Sequence, residues 1–283
     1  WRDPLAGKSF TLDTPPQLTA EQQAVWQTIT AQWQPGRPAP RPFLLHGVTG
    51  SGKTEIYLRA IAAARRAGQG ALMLVPEITL ATQTVERVAA RFPGQVAVWH
   101  SALSPGERFD TWERVRAGEL PIVVGPRSAL FAPIKKLGVI IVDEEHEPVY
   151  KQRDRAPLFH ARDAALELGR LSQALVILGS ATPDVATYRR AERDEFHLLS
   201  LPNRILAHTK HLAVQQRLIK QLRSREISPT TSSFSSPSSA FIALPLPPVE
   251  VVDMREELKT GNRTIFSRAL QDGMRETLNR EEQ

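Results

Sequence analysis

The chain has no cysteine. Disulfides and thiolate-bound zinc are therefore excluded within it, and a reducing compartment, the cytoplasm, is expected. No apolar run approaches the roughly 18 residues of a membrane-spanning helix, and the N-terminus carries no secretory pattern. A repeat of solenoid length is also missing. Neither sign of charge dominates: 36 Lys+Arg against 30 Asp+Glu leave a net +6, a mild basic excess that suits a nucleic-acid partner without requiring one. With 41% hydrophobic and 23% charged residues the composition is globular, and 283 residues allow one large domain or two modest ones. The chain starts at Trp1 and stops in a charged stretch, Arg275 to Gln283, so a piece of something longer is expected.

Residues 1–40 are polar and punctuated by proline, with one helix signal. Thr19-Ala-Glu-Gln22 forms a capping box, in which the Thr19 hydroxyl and the Gln22 amide satisfy free backbone groups at the start of a helix reaching about Thr30. From Phe43 to about Leu199 short apolar runs alternate with helix-like stretches. The runs are Phe43–His46, Ala71–Val75, Val96–Trp99, Ile122–Val124, Val139–Val142 and Leu175–Leu178; the helical stretches include Thr54–Ala67, Leu80–Arg91, Gly106–Ala117 and His160–Leu168. Continuously apolar strands alternating with amphipathic helices imply an α/β fold, a mainly parallel sheet with helices on both faces. The rhythm then breaks. Leu212–Arg225 reads as a basic amphipathic helix, and Ser228–Ser239 is too polar to bury itself. A strand at Val249–Asp253 and a helix beginning near Ser267 open a second unit. The expected division is 1–40 (linker and first helix), 41–203 (α/β domain), 204–247 (linker or insertion) and 248–283 (start of a second domain).

Gly47-Val48-Thr49-Gly50-Ser51-Gly52-Lys53-Thr54 matches the P-loop pattern in full, with a strand before and a helix after. Glycines let backbone amides turn toward a polyphosphate at the positive end of the following helix. Lys53 would reach the β- and γ-phosphates of ATP, and the Thr54 hydroxyl would take one position on Mg²⁺. Such a loop needs an acidic partner from another strand. The strand Leu137–Val142 supplies one, ending in Asp143-Glu144-Glu145-His146. Asp143 is placed for Mg²⁺, and Glu144 for orienting the attacking water. Three acids at a buried strand end repel one another unless a cation or basic partner is near.

These residues, with Gly179-Ser180-Ala181-Thr182-Pro183 downstream, resemble a superfamily 2 helicase. The resemblance implies a RecA-like P-loop NTPase domain in which Glu145, His146, Ser180 and Thr182 couple nucleotide state to DNA movement, and in which Gln22 contacts the adenine base. Within that superfamily the replication-restart helicases are the closer likeness, through Val75-Pro-Glu-Ile-Thr-Leu80, Trp99-His-Ser101, Gly125-Pro-Arg-Ser-Ala-Leu-Phe-Ala-Pro133, Tyr150-Lys-Gln152 and Phe159-His-Ala-Arg-Asp163. It implies an ATP-dependent, 3′-to-5′ DNA helicase in replication restart and primosome assembly. The implied partners are single-stranded and forked DNA, replication-restart proteins and the single-stranded-DNA-binding protein, with no membrane. Arg127 and Ser128 suit a sequence-blind grip on phosphates, and Lys151 lies on the adjoining loop. Tyr150 and Phe159, on an exposed loop, suit stacking on unpaired bases.

The second lobe of such helicases, with its arginine finger and embedded cysteine-bound zinc, is not matched here, so zinc is expected only outside this chain. Leu206–Leu244 departs from the family pattern and reads as an insertion or an artefact of the reading frame. Two rival readings stand beside the helicase: a nucleotide- and DNA-binding fragment without useful turnover, and a different P-loop machine such as a transporter ATPase or small-molecule kinase.

Overall fold

The computed structural model describes residues 13–35, 37–76, 83–100, 103–153, 156–206, 242–244 and 252–279. By contacts the chain forms two compact units, Trp1–Leu244 and Pro245–Gln283. The first holds a seven-stranded sheet in the order β3-β4-β2-β5-β6-β1-β7. Its strands are β1 (Phe43–Gly47), β2 (Gly70–Leu74), β3 (Val96–Val98), β4 (Ile122–Gly125), β5 (Leu137–Asp143), β6 (Leu175–Ser180) and β7 (His197–Leu201), and every pairing is parallel.

Alternation along these strands divides the core into two layers. Phe43, Leu45, Ala71, Met73, Val139, Ile141 and Ile177 face one side. There they meet α1 (Ala20–Gln32) through Val25 and Ile29, α2 (Lys53–Arg66) through Ile56, Tyr57 and Ala60, and α3 (Gln83–Arg91) through Val85 and Val88. Leu44, Leu72, Leu74, Ile140, Val142 and Leu178 face the other side. These pack against α4 (Pro105–Ala117), α5 (Ala161–Ser172) and α6 (Val185–Glu192) through Val115, Ala165 and Ala191. Strands buried on both faces have no polar side, which is why they read as unbroken apolar runs.

Local sequence sets the helix ends. Thr19 accepts from the backbone of Gln22 while the Gln22 side chain accepts from Thr19 N, completing the capping box of α1. Ser104 and Glu107 make the same box at α4, with Pro105 in its first turn. In contrast, α2 begins at Gly52 with φ 83° and no side-chain cap, which leaves its first amides to the loop before it.

Two short strands follow the sheet, β8 (Arg204–Leu206) and β9 (Ile242–Leu244), paired antiparallel with Leu206 opposite Ile242. The helix expected at Leu212–Arg225 and the polar run Ser228–Ser239 lie outside the described residues. In the second unit the strand expected at Val249–Asp253 is not found over its described part. Val252 and Asp253 are irregular, because the Asp253 carboxylate accepts from Arg255 N and starts a helix, Met254–Lys259, instead. A second helix runs over Arg268–Asn279, with the Ser267 hydroxyl accepting from Leu270 N.

Candidate nucleotide site and its acidic strand end

Parallel topology puts the carboxyl ends of β1, β5 and β6 side by side, where ligands of open α/β sheets bind. Asp143 pairs in register with Gly179, and Leu45 with Gly179 from the other side. The loop 47–54 after β1 therefore faces the acidic end of β5. Gly50 and Gly52 take φ 80° and 83°, a region that L side chains avoid, so the loop can turn its amides inward. A Cβ at Gly52 would also overlap the Gln22 amide.

A cavity of about 550 Å³ sits on this loop, lined by Val48–Glu55, by Asp143 and Glu144, and by Asp13, Pro16, Gln22, Thr84, Arg87 and Ile205. Lys53, 8% exposed, donates from Nζ to the Gly47 carbonyl at 2.7 Å and lies 3.7 Å from Glu144. The Ser51 hydroxyl is buried and has no hydrogen-bond partner. Gln22 Nε2 donates to the carbonyls of Ser51 and Gly52, at 3.3 and 3.4 Å. The residue singled out as the adenine contact thus buttresses the phosphate loop and caps α1 at the same time.

Asp143 Oδ1 accepts from the Tyr57 hydroxyl at 3.0 Å and from Glu144 N at 3.2 Å. Burial, then the neighbouring Glu144 charge, raises its pKa from 3.8 to about 6, even though Tyr57 and Lys53 pull the other way. Burial and Asp143 together hold the Tyr57 phenol well above its ordinary value. Glu144 adopts φ 47°, an unusual backbone for a non-glycine residue, of a kind that concentrates at functional sites.

These features fit a nucleotide with Mg²⁺: uncapped helix amides, an unpartnered buried hydroxyl, and a carboxylate pair whose repulsion a cation would relieve. Thr54 and Asp143 are the residues that would hold the ion. Among the described residues no group of three His, Cys, Asp or Glu could hold a metal alone. A Mg²⁺ bound here would draw the rest of its ligands from outside the protein.

The two downstream motifs meet. His146 Nδ1 is 2.7 Å from the Ser180 hydroxyl and its Nε2 is 3.3 Å from Thr182 Oγ1. Glu145 is fully buried, and its backbone N donates to the Gly179 carbonyl. Its carboxylate accepts from Arg162 at 3.0 Å, Thr187 at 2.9 Å and Asp184 N at 2.8 Å. The repulsion expected among three adjacent acids is thus resolved differently at each: Tyr57 and Lys53 at Asp143, Lys53 at Glu144, and Arg162 at Glu145. Sequence reading missed Tyr57, Arg162, Thr187 and Asp184. Their partners lie 17 to 86 positions away, so no local spacing pointed to them.

The residues proposed for DNA separate. Ser128 and Lys151 are exposed. Arg127 donates to the carbonyls of Val149 and Lys151, tying the 3₁₀ turn Arg127–Phe131 to the next loop. Phe159 is half-buried, edge-on to the 58%-exposed Phe131 at 5.5 Å. Tyr150 requires a correction. It is 0% exposed, and its hydroxyl donates to the Asp143 carbonyl at 2.6 Å, so it braces the acidic strand end and presents no face to a base.

The fold and this site define a P-loop nucleotide-binding domain of helicase type. A profile described as DEAD/DEAH box helicase matches residues 19–191, and the chain belongs to that family. It is 41% identical over its whole length to the replication restart protein PriA of Bacillus subtilis, covering 30% of that protein, and 40% identical over 97% of its length to PriA of Synechocystis, covering 29%. The chain thus spans about 30% of the length of these curated relatives. Among solved structures, RecG bound to a three-way DNA junction shares the fold at TM-score 0.51 and 22% identity, over 75% of this chain and 28% of that one.

Proposed function

We propose that this chain is the ATP-binding lobe of a DNA helicase that acts in replication restart and primosome assembly. The observation that carries the reading is the convergence of Lys53, Asp143 and Glu144 on one cavity, with His146 joined directly to Ser180 and Thr182. The likeness to PriA proteins supports the restart role, and the same likeness carries 3′-to-5′ movement. Forked and single-stranded DNA, restart proteins and the single-stranded-DNA-binding protein are the corresponding partners.

In this reading the loop amides and Lys53 hold the β- and γ-phosphates of ATP, Lys53 exchanging its bond to the Gly47 carbonyl for phosphate oxygen. Thr54 and Asp143 would hold Mg²⁺, which when bound would offset charge on the phosphate oxygens. Glu144, 3.7 Å from Lys53, orients water in line with the γ-phosphate. Loss of the γ-phosphate changes the charge facing Glu144. That carboxylate also lies 3.4 Å from Ala181 N, so the change is felt at the Ser180–Thr182 turn. Arg127, Ser128, Lys151 and Phe159 form the DNA-facing set.

Complete catalysis needs an arginine from a second lobe, whose absence costs about 10³–10⁵ in rate. The isolated chain therefore binds nucleotide and hydrolyses it slowly. The test is ATP hydrolysis with and without single-stranded DNA by the chain and by Lys53→Ala. Slow turnover that depends on Lys53, with DNA-dependent nucleotide affinity, supports the reading. Stimulation by a small-molecule acceptor but not by DNA would sink it.

A further inference from the structure

The cavity is lined by more than the phosphate loop and the acidic strand end. Lys53, Asp143 and Glu144 are the residues suited to phosphate and its magnesium. The rest of the lining is mixed: Pro16, Gln22 and Ile205 share it with Asp13, Thr84 and Arg87. Ile205 belongs to β8, outside the P-loop and the acidic strand, and is half-buried against the loop. Its backbone N donates to the Gly50 carbonyl at 2.9 Å, and Asn203, just before the strand, donates from Nδ2 to Glu21 on α1 at 2.6 Å. The strand is therefore pinned across the P-loop through groups other than the Ile205 side chain. That side chain converges with Gln22 above Gly52: a Cβ there would lie 3.0 Å from Ile205 Cδ1 and overlap the Gln22 amide. An amide next to a branched aliphatic side chain complements a flat heteroaromatic ring, which takes hydrogen bonds at its edge and apolar contact on its face.

We propose that the Ile205 side chain is a contact for the base of the bound nucleotide, so that β8 discriminates a nucleoside polyphosphate from bare polyphosphate. This rests on the nucleotide reading above and deepens it. Because the strand carrying Ile205 is hydrogen-bonded to the P-loop, occupancy of the base position and seating of β8 on the loop reinforce each other, and the coupling is reciprocal.

The test is calorimetric titration of the full 283-residue chain with ADP and, separately, with inorganic tripolyphosphate, magnesium being present in both. Ile205→Ala is expected to weaken ADP about 5- to 10-fold, the loss for a partly buried aliphatic contact, and to leave tripolyphosphate within about twofold. Ile205→Val, which keeps the branched carbon, is expected to fall between the two. Equal weakening of both ligands would overturn the proposal, since it would mark a general disturbance of the loop; so would no change in ADP affinity. A parent chain that binds neither ligand would instead overturn the nucleotide reading, and this inference with it.

Discussion

Asp143 is a carboxylate held where a carboxylate is unwelcome, and Asp143→Asn isolates that cost. Raising its pKa from 3.8 in the unfolded chain to about 6 in the folded one corresponds to about 3 kcal/mol at neutral pH. The group still borders a cavity open to water, so screening trims this to ~1–3 kcal/mol. The sign follows from proton binding. The folded protein holds the proton more tightly than the unfolded one, so stability is lost as pH rises through about 4 to 6 and the full penalty stands at pH 7.5. Asparagine keeps the Oδ1 that accepts from Tyr57 and from Glu144 N. In urea unfolding of the unliganded protein, Asp143→Asn should therefore be more stable than the parent by ~1–3 kcal/mol at pH 7.5, and by roughly half as much at pH 5. A variant less stable than the parent, or a gap of equal size at both pH values, would refute the reasoning. So would a gap that grows on acidification.

Arg162→Ala leaves the buried Glu145 carboxylate without its cation and should cost ~3–5 kcal/mol in denaturant unfolding; a loss under about 1 kcal/mol would show that Thr187 and Asp184 N suffice. Gly179→Ala places a methyl group on the Tyr57 hydroxyl that reaches Asp143, so it should lose about 1–3 kcal/mol by thermal or urea unfolding. Combining it with Tyr57→Phe should recover part of that loss. Tyr150→Phe removes only the hydrogen bond to the Asp143 carbonyl and should cost about 1 kcal/mol while leaving single-stranded-DNA affinity unchanged by fluorescence anisotropy. A large drop in DNA affinity would restore Tyr150 to the DNA face.

The layered α/β core was legible because its five inner strands and the edge strand β3 carry apolar side chains on both faces, and the P-loop because phosphate binding needs glycines and a lysine at fixed spacing. The edge strand β7 gives no unbroken apolar run, because Leu198 and Ser200 leave one of its sides exposed. Capping by Gln22 was legible from its spacing to Thr19, whereas its contact with the Ser51 and Gly52 carbonyls, 29 and 30 positions away, was not. Tyr150 was misplaced because an aromatic residue a few positions after an acidic strand end looks the same whether the loop folds it inward or outward. The Glu145 cluster was invisible for a different reason. It joins β5, α5 and α6 through residues with no periodic relation, and only the sheet order brings them together.

If the loop 47–54 and Asp143 together bind a nucleoside triphosphate with magnesium, the two should fail together. Titrating a non-hydrolysable ATP analogue into the parent chain and Lys53→Ala, each with and without magnesium, tests it most directly. Binding by the parent should be saturable, strengthen with magnesium and be lost in Lys53→Ala. Binding that ignores both magnesium and Lys53, or no binding by the parent, would contradict it.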